Sequence, residues 1–153
     1  MGKLELEVRG QKVVLDMDSP EIHPFESVLW ALEKHKGVLH RKKVWEAVVT
    51  NIRVFQYNYE TGKMEAYCLF PLADFQVLNS RRVRRSSWAG PFVYRGGVGA
   101  YAGTSSSQYV TVGTVAVLSQ GKLVTKWEVQ SPHDLVKFLK SAQKQVKMDL
   151  VKT

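Results

Sequence analysis

The chain has 153 residues, a single cysteine, 44% hydrophobic and 24% charged residues, and a formal net charge of +8. That length suits one domain with one substantial core, and the composition is ordinary for a globular protein. An intrachain disulfide and a multi-cysteine metal site are excluded, and no apolar run nears the ~20 residues that span a bilayer.

In chain order, Leu4, Leu6 and Val8 alternate with Glu5, Glu7 and Arg9, Gly10-Gln11 interrupts, and Lys12 to Met17 resumes. This predicts a hairpin with one apolar and one charged face, serving as an added edge or as a pairing surface for a second copy of the chain. Asp18-Ser19-Pro20 and His23-Pro24 mark a connector, so residues 1–25 are set apart from a domain over 26–150. The first residues, Met1 to Glu7, lack the apolar core of a signal peptide, and a cytoplasmic protein is expected. Residues 26–39 fit both periods: Val28, Leu29 and Leu32 are spaced as in a helix, Val28, Trp30 and Leu32 as in a strand. Strand is favoured, because Gly37 and the apolar pair Val38-Leu39 follow at once and lead into the next segment. His40-Arg41-Lys42-Lys43 is a basic run read as an exposed turn.

Trp45 to Tyr59 is the stretch around which the chain is organised. β-Branched and aromatic residues dominate both halves, and a tight turn is expected at Thr50-Asn51, where Asn tolerates the left-handed conformation. Trp45, Ala47 and Val49 share one face, while Ile52 and Val54 oppose Arg53, Phe55, Tyr57 and Tyr59. Large side chains on both faces place this hairpin centrally in a sheet.

A turn at Glu60-Thr61-Gly62-Lys63 leads to a strand from Met64 to Phe70, stopped by Pro71 and carrying Cys68 as a buried core residue. The next strand, Phe75 to Val83, runs into Arg81, Arg82, Arg84 and Arg85, with Trp88 just beyond. Arginines on both faces mean that this end projects from the sheet or lies at an edge. Gly90 to Gln108 is rich in Gly and Ser and reads as a long surface loop or irregular hairpin. It fails as a phosphate-binding loop, since no Lys-Ser/Thr follows and its third glycine is one position late for a dinucleotide fingerprint. Two strands, Tyr109 to Leu118 and Lys122 to Val129, follow, with Leu123, Trp127 and Val129 on the buried face of the second. Ser131-Pro132 then opens a helix whose stripe of Leu135, Phe138, Leu139, Ala142 and Val146 faces the core, against Trp45 or Trp127.

The fold class expected is α+β, mainly β: roughly seven strands in a strongly bent antiparallel sheet, capped by one C-terminal amphipathic helix and preceded by an extra N-terminal hairpin. The motif Trp-x-Ala-Val-Val-Thr-Asn-x-Arg-Val-Phe at 45–55, the step Pro71-Leu72-Ala73-Asp74-Phe75, the strand Val112-Gly113-Thr114-Val115 and the helix start Ser131-Pro132-His133-Asp134-Leu135 resemble prokaryotic pleckstrin-homology-like domains and the related GRAM domains. The resemblance covers about residues 26–147. It implies a seven-stranded bent barrel or sandwich with a C-terminal capping helix, and a binding module rather than an enzyme.

The residues themselves point the same way. His23, His35, His40 and His133 are scattered without metal-ligand spacing, no nucleophile motif is present, and no cofactor or metal is called for. Two basic groups remain as candidates for an anionic surface: Lys34, Lys36, Arg41, Lys42 and Lys43, and Arg81, Arg82, Arg84 and Arg85 with Trp88. Their expected partner is a protein or an anionic lipid surface, which would make the protein peripheral to a membrane. The alternative is nucleic acid, with the arginines on phosphates and Trp88, Tyr94 or Tyr101 stacked on unpaired bases, although no nucleic-acid motif is visible.

Overall fold

The structure, a computed structural model, describes residues 2–84, 92–96 and 109–149, with backbone alone for 92–96 and 147–149. Ten strands and one long helix are described: β1 (Lys3–Val8), β2 (Gln11–Asp16), β3 (Val28–Lys36), β4 (Lys42–Thr50), β5 (Arg53–Asn58), β6 (Lys63–Leu69), β7 (Ala73–Arg84), β8 (Phe92–Gly96), β9 (Tyr109–Ser119), β10 (Lys122–Gln130) and α1 (Pro132–Asp149). A single 3-10 turn, Phe70–Leu72, joins β6 to β7. All pairings are antiparallel, in a β1-β2 ribbon, a five-stranded sheet β6-β5-β4-β3-β8 and a three-stranded sheet β10-β9-β7. The protein is thus mainly β with one C-terminal helix, as expected, and among the described residues its sheets do not close into a barrel.

The two larger sheets meet through one core. Trp30 and Leu32 of β3, Ala47 and Val49 of β4, Val54 of β5 and Cys68 of β6 pack with Phe75, Val115, Val117, Trp127 and Val129 from the other sheet. At its centre the Trp30 and Trp127 rings lie 5.0 Å apart. The opposite face of the five-stranded sheet buries Ala31, Val48 and Phe55, so the β4–β5 hairpin is internal and covered on both sides. Helix α1 lies chiefly on β7, β9 and the 3-10 turn, burying Leu135, Val136, Leu139 and Val146 while Phe138 and Ala142 are half-buried. Buried Gln143 fixes its position, donating from Nε2 to the carbonyls of Phe70 at 2.8 Å and Ala73 at 2.6 Å.

The N-terminal ribbon packs Leu6, Val8, Leu15 and Met17 around Ile52, at the β4–β5 turn. The apolar face read from its alternation is therefore occupied within the chain. What ties the ribbon and connector down is Arg53, which is fully buried. Its Nη1 donates to the carbonyls of Asp16 (3.1 Å) and Ser19 (2.7 Å), Nη2 to that of Glu21 (2.8 Å), and Nε and Nη2 to the Glu26 carboxylate. Every N–H of the guanidinium is satisfied.

Several local expectations are corrected. Residues 26–39 hold a strand, β3, but Val38 and Leu39 lie in the loop after it and do not lead into β4, which starts at Lys42. Asn51 has no positive φ. It shapes the turn instead by exchanging hydrogen bonds with the Ser27 backbone, accepting at 2.8 Å through Oδ1 and donating at 3.1 Å through its N–H. Ile52 belongs to the turn, and β5 starts at Arg53. Leu123 is 56% exposed because a bulge between Leu123 and Thr125 resets the alternation, so that Val124 packs on the core beside Trp127 and Val129 and Leu123 does not. Within the Gly/Ser-rich stretch, Phe92–Gly96 forms β8 on the free edge of β3, so eight strands rather than about seven stand between Val28 and Gln130 among the described residues. The rest of that stretch lies outside the described residues.

Candidate functional site

The basic run sits where β3 and β4 part. Lys36 pairs with Lys42, and residues 37–41 form the loop between them. Gly37 has φ 100°, and a Cβ there would come within 2.6 Å of the His40 carbonyl oxygen, so the loop closes on a position that only glycine fits. The loop carries Val38 and Leu39 at its tip, 94% and 91% exposed, whereas no other large apolar side chain among the described residues exceeds the 56% of Leu123. Keeping a Val or Leu in water forgoes about 1.5–3 kcal/mol of burial. Chance exposure of single apolar residues is common, but two adjacent ones at this level, closed into a glycine turn, form a projection.

Around that tip the lysines divide by what they already hold. Lys36 donates to Glu60 at 2.8 Å. Lys43 is half-buried, 3.1 Å from Glu46 and 3.7 Å from Glu33, with its ammonium over the Tyr59 ring. Glu33 and Glu46 face each other across β3 and β4, and His35 and the Tyr59 hydroxyl also bond this pair, so Lys43 is part of a satisfied structural network. Lys34, Arg41 and Lys42 are exposed and make no ion pair among the described residues. The local potential is positive enough to act on Glu60, whose carboxyl is held below its ordinary range by the Lys36 hydrogen bond first, with the charges of Lys34 and Lys42 adding.

The arginine end of β7 lies at the edge of its sheet, as expected from the charge on both faces. Arg81 is paired with Glu128 at 2.9 Å, Arg82 sits over the Tyr109 ring at 5.4 Å, and Arg84 is exposed. Arg85 and Trp88 lie outside the described residues, as do the side chain of Tyr94 and all of Tyr101.

A cleft of about 350 Å³ opens between the two sheets beside the loop. Leu32, Val44, Trp45 and Trp127 form its apolar walls, and Lys34 and Lys36 reach it because they continue the inward face of β3 past the end of the core. Lys126 and Glu128 of β10 stand on the other bank, where Glu128 is the ion-pair partner of Arg81. The indoles are held by their N–H groups: Trp127 Nε1 donates to Gln56 Oε1 at 3.1 Å, Gln56 Nε2 to Glu65 Oε1 at 2.7 Å, and Trp45 Nε1 to the same Glu65 oxygen at 2.9 Å. The Gln56 bond, aided by Asn58 and Trp45 and opposed by burial, keeps the Glu65 carboxyl below its ordinary range. Sequence reading marked the lysines and missed both the apolar tip and this cleft. A glycine followed by two aliphatics and four basic residues was the available signal for the tip.

Among the described residues no group of three His, Cys, Asp or Glu stands together as a metal-ligand set, and no helix is long and apolar enough to cross a membrane. No family model matches the chain, and no curated protein or solved structure matches it either.

Proposed function

We propose that this chain is a non-enzymatic binding module of pleckstrin-homology-like plan that docks on an anionic membrane surface through its β3–β4 loop. The observation that carries the reading is the Val38–Leu39 tip, 94% and 91% exposed, next to Arg41 and Lys42. A lipid surface answers both features, since the acyl boundary takes the aliphatic pair and anionic head groups take the cations. Each Lys or Arg near such a surface contributes about 1 kcal/mol and the two aliphatic side chains a few more, so attachment is reversible and salt-sensitive. An acidic protein partner would use the same residues but needs an apolar pocket shaped to the tip. Single-stranded nucleic acid answers the charge and offers aliphatic side chains no apolar phase, and Arg81 and Arg82 are already engaged by Glu128 and Tyr109.

Cosedimentation with phosphatidylcholine liposomes, with and without phosphatidylserine, tests the reading. Retention on the anionic liposomes, fading with salt and lost in Val38→Ser/Leu39→Ser, is expected. Absence of retention, or retention unchanged in that variant, would overturn it and turn attention to a protein partner.

A further inference from the structure

The cleft between the sheets asks for a ligand of its own. Its volume of about 350 Å³ lies within the range of small-molecule sites. The half-buried Trp45 indole forms part of its wall over a floor where the core residue Trp127 comes to the surface, and since the Trp45 N–H is committed to Glu65, it offers the cleft ring surface rather than a hydrogen-bond donor. The lining charges cancel in part. Glu60 is neutralised by Lys36 and Glu128 by Arg81, which leaves Lys34 and Lys126, neither in an ion pair among the described residues, as the uncompensated cations on opposite banks.

We infer that this cleft binds a small aromatic anion, its planar body on the Trp45 ring and its carboxylate or phosphate held by Lys34 and Lys126. The cleft would reject an aromatic cation, because its two acids are already paired. Binding here uses neither Val38 nor Leu39 and stands independently of the docking reading.

The test is a titration of the full chain with 2-naphthoate and 1-naphthyl phosphate, read on the indole N–H resonances of Trp45 and Trp127. Neutral 2-naphthylmethanol and cationic 2-naphthylmethylammonium serve as comparisons. Saturable shifts of the Trp45 resonance by the anions below about 1 mM are expected, with the neutral and cationic probes at least about tenfold weaker. Lys34→Gln/Lys126→Gln, at exposed positions whose side chains make no ion pair among the described residues, should weaken the anions by about tenfold or more and leave the neutral probe unchanged. Val38→Ser/Leu39→Ser should leave the titration unaltered, which separates failure of this site from failure of the loop. Unmoved indole resonances, equal affinity for the three charge types, or anion affinity unchanged in the lysine variant would each overturn the inference.

Discussion

Arg53 and Glu26, 27 residues apart in the chain, meet in the protein interior through two hydrogen bonds, Nε to Oε2 at 3.0 Å and Nη2 to Oε1 at 3.1 Å, with both side chains fully buried. The pair joins the connector to the first residue of β5, and Thr50 completes it by donating to Glu26 at 2.7 Å while accepting from the N–H groups of Ile52 and Arg53. Removing one partner strands a buried charge, so Arg53→Met should cost about 3–5 kcal/mol in urea unfolding. Arg53→Lys should recover little of that, because an ammonium cannot reach the Asp16, Ser19 and Glu21 carbonyls and the carboxylate together. A loss within about 0.5 kcal/mol of zero for Arg53→Met would contradict the role assigned to it.

The same site sets an acid limit on stability. Burial pushes the Glu26 carboxyl upward, but the hydrogen bonds from Arg53 and His23 and the Arg53 charge outweigh it, and the net direction is down. A carboxyl lowered in the folded state stabilises the protein above the unfolded glutamate value of about 4.3, and that stability is lost as pH falls through the lower folded value. Glu26→Gln should therefore be less stable than the wild type near neutrality, with the gap narrowing below about pH 4.3. Unfolding curves at several pH values read this directly. A gap constant with pH would refute it.

Gly113 is expected to be intolerant for a steric reason. A Cβ there would lie 2.0 Å from the Asn79 carbonyl oxygen and 3.0 Å from Pro132 Cγ, beside the β7 bulge that leaves Leu78 as the extra residue. Neither neighbour is a flexible side-chain end, so Gly113→Ala should cost at least about 1–3 kcal/mol by forcing β7 and the start of α1 apart. Thermal melts of the variant provide the measurement.

Cys68 is buried, and burial pushes its thiol up to about 11. The thiolate fraction at neutral pH is small and access is poor, so a thiol reagent should react only on unfolding. Reaction with dithionitrobenzoate in native buffer against the same reaction in urea checks this.

Much of the architecture was legible because it rests on local patterns. Large side chains on both faces of Trp45 to Tyr59 place the β4–β5 hairpin inside a sheet, and the Ser131-Pro132 start with its apolar stripe places α1. Features that depend on distant partners were not. The Thr50-Asn51-x-Arg53 turn stood out as a motif, but nothing in it reveals Glu26 as the counter-ion or the connector carbonyls as acceptors. Bulges at Leu78 and Val124 shift the alternation without a compositional mark, so that Leu78 and Leu123 face water while Val124 packs on the core in place of Leu123. β8 escaped because its ladder is supplied by the β3 edge rather than by its own Gly-rich surroundings. The lysines at 34–43 were visible as charge. Which of them are spent on Glu33, Glu46 and Glu60 required the tertiary structure.

The docking reading turns on whether Leu39 enters the lipid phase. Because Cys68 is buried, Leu39→Cys can be labelled selectively with an environment-sensitive nitrobenzoxadiazole dye and mixed with phosphatidylserine-containing vesicles. Entry into the acyl boundary should raise and blue-shift the emission, brominated lipids should quench it, and phosphatidylcholine vesicles should leave it unchanged. A dye that stays in water on anionic vesicles, with unaltered emission and no quenching, would contradict membrane docking by this loop.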